Sequence, residues 1–272
     1  AQNLICNFLN CANILKIISQ IYYEKDVQQY VMMFLSMGLD GHPSAPLMLF
    51  LGGAGANGKT TLLEMARNCL GEYGYKPPMN LLTDKREQGS SANSAFIGMK
   101  QKRLNTYSEA DDDKGEIFVN GGRFKEMISP EIQTGRELHK KQENFKITAT
   151  QVAALNKRLS FRSNDHAIWR RVRYYKHKVK FCSNPDPNNP FEVKENSEIA
   201  EKYPHDPNYK SAMLSILTHY NERLRSEYNG DIKRVSCPTI DIETEEYRNT
   251  QDTLNQFITQ MIVEPNGPPI EE

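Results

Sequence analysis

Residues 53–60, Gly53-Ala54-Gly55-Ala56-Asn57-Gly58-Lys59-Thr60, have the spacing G-x-x-x-x-G-K-[ST]. Glycines at these positions let a backbone curl until successive N–H groups converge on phosphate oxygens. The helix that follows the loop would add the positive end of its dipole. In that arrangement Lys59 contacts the β- and γ-phosphates and Thr60 holds Mg²⁺ through its hydroxyl. The expected ligands are therefore ATP and Mg²⁺, held by residues 53–60 together with Thr61.

Binding a nucleotide is not hydrolysing it. Hydrolysis also needs a carboxylate at the end of a neighbouring strand, to organise the metal and the attacking water. The stretch Arg103-Leu104-Asn105-Thr106-Tyr107-Ser108-Glu109 provides one. Glu109 is the expected base and metal organiser. Asp111-Asp112-Asp113, just beyond, reads as a solvated turn.

Positive charge is concentrated in a third place. Lys157, Arg158, Arg162, Arg170, Arg171, Arg173, Lys176, Lys178 and Lys180 lie within one stretch that contains a single acid, Asp165, although the whole chain has zero formal charge. Such a run suits an anion, either a transferring phosphoryl group or a nucleic-acid backbone. A solvated basic face is the expected fate of Lys176, Lys178 and Lys180.

The elements that must position these residues read as α/β. Residues 46–51 form a short continuous apolar run, as a strand buried on both faces does. Residues 60–70 follow with Leu62, Leu63, Ala66 and Leu70 on one helical face. Further strands are expected over 102–108 and 145–150, a helix over 124–128, and a hairpin within 135–150 whose tip is His139-Lys140-Lys141-Gln142. The apolar spacing of residues 1–42 predicts a helical flank ended by Gly41-His42-Pro43. The core is then 43–182, an Asn- and Pro-rich loop or insertion fills 183–208, and 209–272 is helical, with amphipathic helices over 209–228 and 243–262.

Composition sets the outer bounds. A 38% apolar content in 272 residues supports a sizeable core. The five cysteines are scattered without a C-x-x-C pair, which points away from zinc sites and disulfide frameworks and towards reduced thiols in an intracellular compartment. No run approaches the roughly 20 apolar residues of a membrane span. The chain starts at Ala1 and ends in a Pro-rich segment, so it reads as part of a longer protein.

These motifs together resemble superfamily 3 helicases, specifically the poxvirus-type primase–helicases of nucleocytoplasmic large DNA viruses and their phage relatives. The resemblance runs through Gly53–Thr61, Ser108-Glu109, Phe124-Lys125-Glu126-Met127, Thr134-Gly135-Arg136-Glu137-Leu138 and Ile168-Trp169-Arg170-Arg171-Val172. It extends to Thr244, Tyr247 and Phe257. Asn57 and the Trp-Arg-Arg triplet are its most specific elements.

The resemblance implies a P-loop NTPase of modified AAA+ type, with a mostly parallel central sheet flanked by helices, a pre-sensor β-hairpin and a helical C-terminal extension. It implies a homo-hexamer that hydrolyses ATP at subunit interfaces and moves on single-stranded or forked DNA during viral genome replication, in the host cytoplasm, with a primase domain on the same full-length chain. His139, Lys140 and Lys141 would enter the pore. Arg170 or Arg171 would be the finger acting across an interface and the other its support, with Arg162 a further candidate. The family places Asn as γ-phosphate sensor at the end of the third strand; Gln151 stands there by this reading, and Asn156 is the second candidate. Ser129-Pro130-Glu131 replaces the family's Gly-Gly-Asp. Two other functions fit a phosphate loop: an AAA+ switch or loader that closes on DNA without travelling, and a small-molecule phosphotransferase. The Trp-Arg-Arg segment, far downstream, suits an arginine acting in trans better than a monomeric kinase.

Overall fold

The computed structural model describes residues 2–42, 45–83, 93–108, 117–137, 139–161 and 165–251. The expected N-terminal flank is two helices, α1 (Gln2–Ile21) and α2 (Lys25–Ser36). Strand β1 (Met48–Gly52) leads through the glycine loop into α3 (Lys59–Cys69). A short β2 (Gly74–Tyr75) and two single-turn helices, α4 (Asn80–Thr83) and α5 (Ser94–Ile97), precede β3 (Leu104–Tyr107). Next come β4 (Phe118–Val119) and α6 (Gly121–Ile128). Two antiparallel strands, β5 (Ile132–Gly135) and β6 (Glu143–Lys146), make a hairpin, and β7 (Thr150–Leu155) follows.

The second half opens with β8 (Ser160–Phe161), α7 (His166–Trp169) and β9 (Val172–Lys176). Strands β10 (Lys180–Cys182) and β11 (Glu192–Lys194) pair with each other, and α8 (Ser197–Lys202) comes after them. Residues 183–208 are therefore not plain loop: they hold β11 and α8. Two long helices complete the described chain, α9 (Pro207–Tyr228) and α10 (Pro238–Gln251). The first is bounded as its sequence dictates. Asp206 caps it by accepting from the N–H of Asn208 at 2.7 Å, Pro207 takes the first turn, and Asn229 ends it at φ 53°.

The central sheet has the order β2-β3-β7-β1-β9, and every pairing in it is parallel. Alternation along β1 splits the core. Leu49 and Leu51 face α1, α2, α3 and α9, while Met48 and Phe50 face Phe124, Phe161, Trp169 and Tyr247. With apolar layers on both sides, the central strands are buried throughout, including all six residues of β7.

One expected strand is displaced. The stretch 145–150 is not the third strand of the sheet: its start closes the hairpin in β6, and the sheet strand is β7. The hairpin pairs Ile132 with Lys146 and Gly135 with Glu143, so it begins before Gly135. The physical reason is burial on both faces, which the run Val152-Ala153-Ala154-Leu155 satisfies and the alternating Glu143-Asn144-Phe145-Lys146 does not. The cysteines described with their side chains, Cys11, Cys69, Cys182 and Cys237, are free thiols. Among the described residues, no helix is long and apolar enough to cross a membrane.

Candidate functional site

In an open parallel sheet, ligands gather where the strands end. Register fixes which residues meet there. Gly52 pairs with Leu155 on one side and Lys176 on the other, so the glycine loop, Asn156 and His177 leave the sheet at the same edge.

The loop's shape depends on left-handed backbone. Gly58 has φ 77°, and a Cβ there would lie 2.8 Å from the Ile21 side chain and 3.2 Å from the Phe181 ring. Only glycine fits. Ala56 is also left-handed, at φ 48°, a strained conformation for a residue with a Cβ. Its carbonyl accepts from the N–H of Phe181 at 2.7 Å, which ties the strained residue to β10.

Lys59 opens α3 and is almost wholly buried. Its ammonium donates to the carbonyl of Gly53 at 2.7 Å, to Asn57 Oδ1 at 2.8 Å and to Asn156 Oδ1 at 3.4 Å. Asn57 works at both ends of its amide, because its Nδ2 also donates to the carbonyl of Val179 at 2.7 Å. Thr60 is exposed in the first helical turn and Thr61 is half-buried. A cation and a helix N-terminus thus meet at one loop, an arrangement suited to a polyanion.

Asn156, rather than Gln151, stands at this edge. Gln151 is buried at the other half of β7, where it pairs in register with Met48. Its Oε1 accepts from the Tyr107 hydroxyl at 2.9 Å and from Asn105 at 3.3 Å, and its Nε2 donates to the Ala149 carbonyl at 3.1 Å. Five residues of extended chain, about 16 Å, separate it from Asn156. Gln151 is a satisfied core amide, and its expected sensor role is corrected by the displaced strand.

His177 was not foreseen, although it follows the strand beside β1. Its backbone N–H lies 2.8 Å from the Gly52 carbonyl and its Nδ1 lies 3.0 Å from the same oxygen. The oxygen can only accept, so Nδ1 carries the proton. The ring packs against Tyr22 and Tyr175, with centroids 5.1 and 4.9 Å away. Burial, aided by the charge of Lys59, pushes its pKa down to about 3.

Arg170 and Arg171 lie at the opposite end of the sheet. Met48, the first residue of β1, donates its N–H to the Arg171 carbonyl at 2.9 Å. The five-residue length of β1 sets the pair about 15 Å from the loop. The Arg171 guanidinium donates to the Ala167 carbonyl, and burial with the charge of Arg170 lowers its pKa. Arg170 is exposed. Asp165 caps α7 through the N–H of Ala167 at 2.8 Å and pairs with Lys125 of α6 at 2.6 Å, which braces the turn carrying both arginines.

Two other residues of the basic stretch have separate partners. Lys178 pairs with Glu24, and Arg158 lies over the Tyr174 ring at 5.0 Å. At the hairpin tip His139 is left-handed at φ 61°, Lys140 pairs with Glu137 at 2.5 Å and Lys141 is exposed. Glu109, Asp111-Asp112-Asp113 and Arg162 lie outside the described residues, though β3, which leads to Glu109, ends at the same edge as the loop. Among the described residues no group of three or more His, Cys, Asp or Glu is placed to hold a metal. Sequence reasoning also missed a cavity of ≈ 240 Å³ beside Ala56, Gly58 and Thr61, walled by residues from α1, β10 and α8.

A parallel α/β scaffold with an anion-suited loop at its strand ends is the class that fold and site define. The solved structure of the apo C-terminal region of NrS-1 shares this fold with TM-score 0.53 at 11% identity, over 93% of this chain and 59% of that one. A family of unknown function, DUF5906, matches residues 50–171.

Curated relatives are more specific. The chain is 45% identical over 253 residues to a protein named "Putative primase C962R" of African swine fever virus, covering 92% of this chain. It is 28% identical over 262 residues to the "Putative helicase L207/L206" of Acanthamoeba polyphaga mimivirus, again over 92% of this chain. It spans 26% of the length of each.

Proposed function

We propose that the chain is the ATP-hydrolysing motor segment of a viral DNA helicase, working as a homo-hexameric ring on single-stranded or forked DNA. The observation that carries this reading is the ammonium of Lys59, held by Gly53 and Asn57 at the strand-end edge with Asn156 beside it. Similarity to viral proteins named as primase and helicase supports it. In this reading a primase domain lies on the same full-length chain, which acts in genome replication in the host cytoplasm.

The residues divide the work by position. Incoming phosphates draw Lys59 from the loop carbonyls, and the N–H groups of residues 53–60 take up the remaining charge. The Thr60 hydroxyl and Glu109 would hold Mg²⁺, which screens phosphate charge. Glu109 accepts the proton of the attacking water, and the Asn156 amide orients that water against the γ-phosphate. Arg170 lies too far away along β1 to serve its own nucleotide, so it serves the neighbour's, braced by Arg171. The hairpin tip, His139, Lys140 and Lys141, follows the DNA backbone without reading bases.

The test is ATP turnover and strand displacement on a forked duplex by the intact protein. Turnover stimulated by single-stranded DNA, together with unwinding, is expected, and both should vanish in Lys59→Ala. Stimulated turnover without unwinding would identify an AAA+ switch or loader instead.

A further inference from the structure

The peptide joining Gly52 to Gly53 is where the glycine loop leaves the sheet, and it is gripped from both sides. Gly53 donates its N–H to the Leu155 carbonyl of β7 at 3.0 Å. On the other side the Gly52 carbonyl takes two donors from one residue, the backbone N–H of His177 at 2.8 Å and its Nδ1 at 3.0 Å. The backbone bond continues the parallel ladder, and the second is an addition that only a side-chain donor supplies. Downstream, Gly53 has φ 150°, and its carbonyl accepts from the Lys59 ammonium at 2.7 Å and from the Gly55 N–H at 2.9 Å. A Cβ on Gly53 would lie 3.2 Å from the His177 Cβ, so the two residues pack directly together. Rotation of the Gly52–Gly53 peptide would swing the atom that holds Lys59.

The imidazole is confined. It is buried between Tyr22, just past α1, and Tyr175 of β9, and Tyr175 is fixed in turn by donating its hydroxyl to Glu24 Oε2 at 2.9 Å. In this box the Nε2 of His177 finds no hydrogen-bond partner among the described residues. An unmet buried nitrogen is a cost. A purely apolar side chain would fill the same space without it, so what the imidazole adds is its Nδ1–H on Gly52.

We propose that His177 is a positioning residue for the phosphate loop, and that its Nδ1–H presets the Gly52–Gly53 peptide, and with it Lys59, for an incoming polyphosphate. This inference rests on the nucleotide reading above and deepens it. Neither ring nitrogen is offered to the phosphate itself: Nδ1 is engaged by Gly52 and Nε2 is buried. The effect is on the fraction of loops already in the binding shape, and the apparent dissociation constant scales inversely with that fraction. Binding should suffer more than chemistry, because a bound polyphosphate draws the loop back and leaves Thr60 and Asn156 in place.

The experiment is ATP titration of turnover, together with binding of inorganic tripolyphosphate, in the intact protein and three variants. His177→Asn keeps an amide N–H where Nδ1 stood, His177→Gln carries its amide one bond farther out, and His177→Leu has no donor. His177→Gln and His177→Leu should each raise KM for ATP and Kd for tripolyphosphate by about tenfold, with kcat changed by less than about threefold. His177→Asn should recover most of that loss, which a merely structural histidine would not predict. If His177→Leu fails to fold, the contrast between His177→Asn and His177→Gln decides alone. The proposal is overturned if KM and Kd hold in His177→Gln, if kcat falls as far as KM rises, or if His177→Asn binds no better than His177→Gln. Failure of the nucleotide reading looks different: tripolyphosphate would not bind, or would bind Lys59→Ala equally well, and this inference would fall with it.

Discussion

Asn57 holds Lys59 with one end of its amide and the Val179 carbonyl with the other, at 2.8 and 2.7 Å. One short side chain thus sets the resting place of the loop's cation and fastens the loop to the segment that follows β9. Asn57→Ala leaves a buried carbonyl without this donor, and an unmet buried group costs about 1–3 kcal/mol. Denaturant midpoints and ATP binding should both fall, and an unchanged Kd would show that the strap does not shape the loop.

Gln151 and Asn156 should separate cleanly. Gln151→Ala strips the Tyr107 hydroxyl of its acceptor, so it should lower stability by about 1–3 kcal/mol while turnover per folded molecule holds. Asn156→Ala should cut turnover by about 10²-fold, as loss of one oriented donor does, with little change in Tm. Measuring kcat beside thermal melts decides the matter, and the reverse pattern would return the sensor role to Gln151.

For the arginines, Arg170→Ala should lower ATP hydrolysis by about 10³-fold or more. Mixed with Lys59→Ala subunits, it should recover part of the lost rate, because each variant supplies what the other lacks. If no mixing ratio restores turnover, Arg170 does not act across an interface.

His177 links stability to pH. Its folded pKa is pushed down to about 3 from an ordinary value of 6.5, so the unfolded chain binds the proton more readily. The stabilisation is fully present above 6.5 and is lost as pH falls towards 3, with a slope of up to about 1.4 kcal/mol per pH unit from this residue. Urea unfolding at pH 7 and pH 5 should reveal that loss, and His177→Gln should remove this contribution to it.

At the hairpin, Lys141→Ala should weaken single-stranded DNA binding evenly across sequences and reduce the salt slope by about one. Lys140 already pairs with Glu137, so Glu137→Gln is expected to strengthen binding by releasing it. Titrations at several salt concentrations check both; a sequence-dependent effect would count against backbone contact.

The parts of this protein that could be read from residues alone are those whose chemistry is local. The glycine loop announces itself by spacing, and 46–51 and 209–228 by periodicity and punctuation. Residues that depend on long-range packing could not be read that way. Gln151 looked like a strand end because Phe145 and Ile147 sit close before it, and only the two-faced burial of β7 shows where the strand lies. His177 carries no local signal of its own, and only the pairing of Gly52 with Lys176 brings it to the loop. The run itself dispersed, since Arg158, Arg171 and Lys178 answer to three different neighbours, the Tyr174 ring, the Ala167 carbonyl and Glu24. The cavity was invisible because its walls come from segments more than 170 residues apart, Ile17 and Ile199 among them.

Helix α1 ends against the machinery rather than beside it, with Ile21 on Gly58 and Tyr22 on the His177 ring. Close-packed atoms cannot absorb displacement, so a pull along this helix would be felt at the glycine loop before any distant surface yields. The flank is a lever whose short arm rests on the glycine loop, and traction applied there would reshape that loop from a distance.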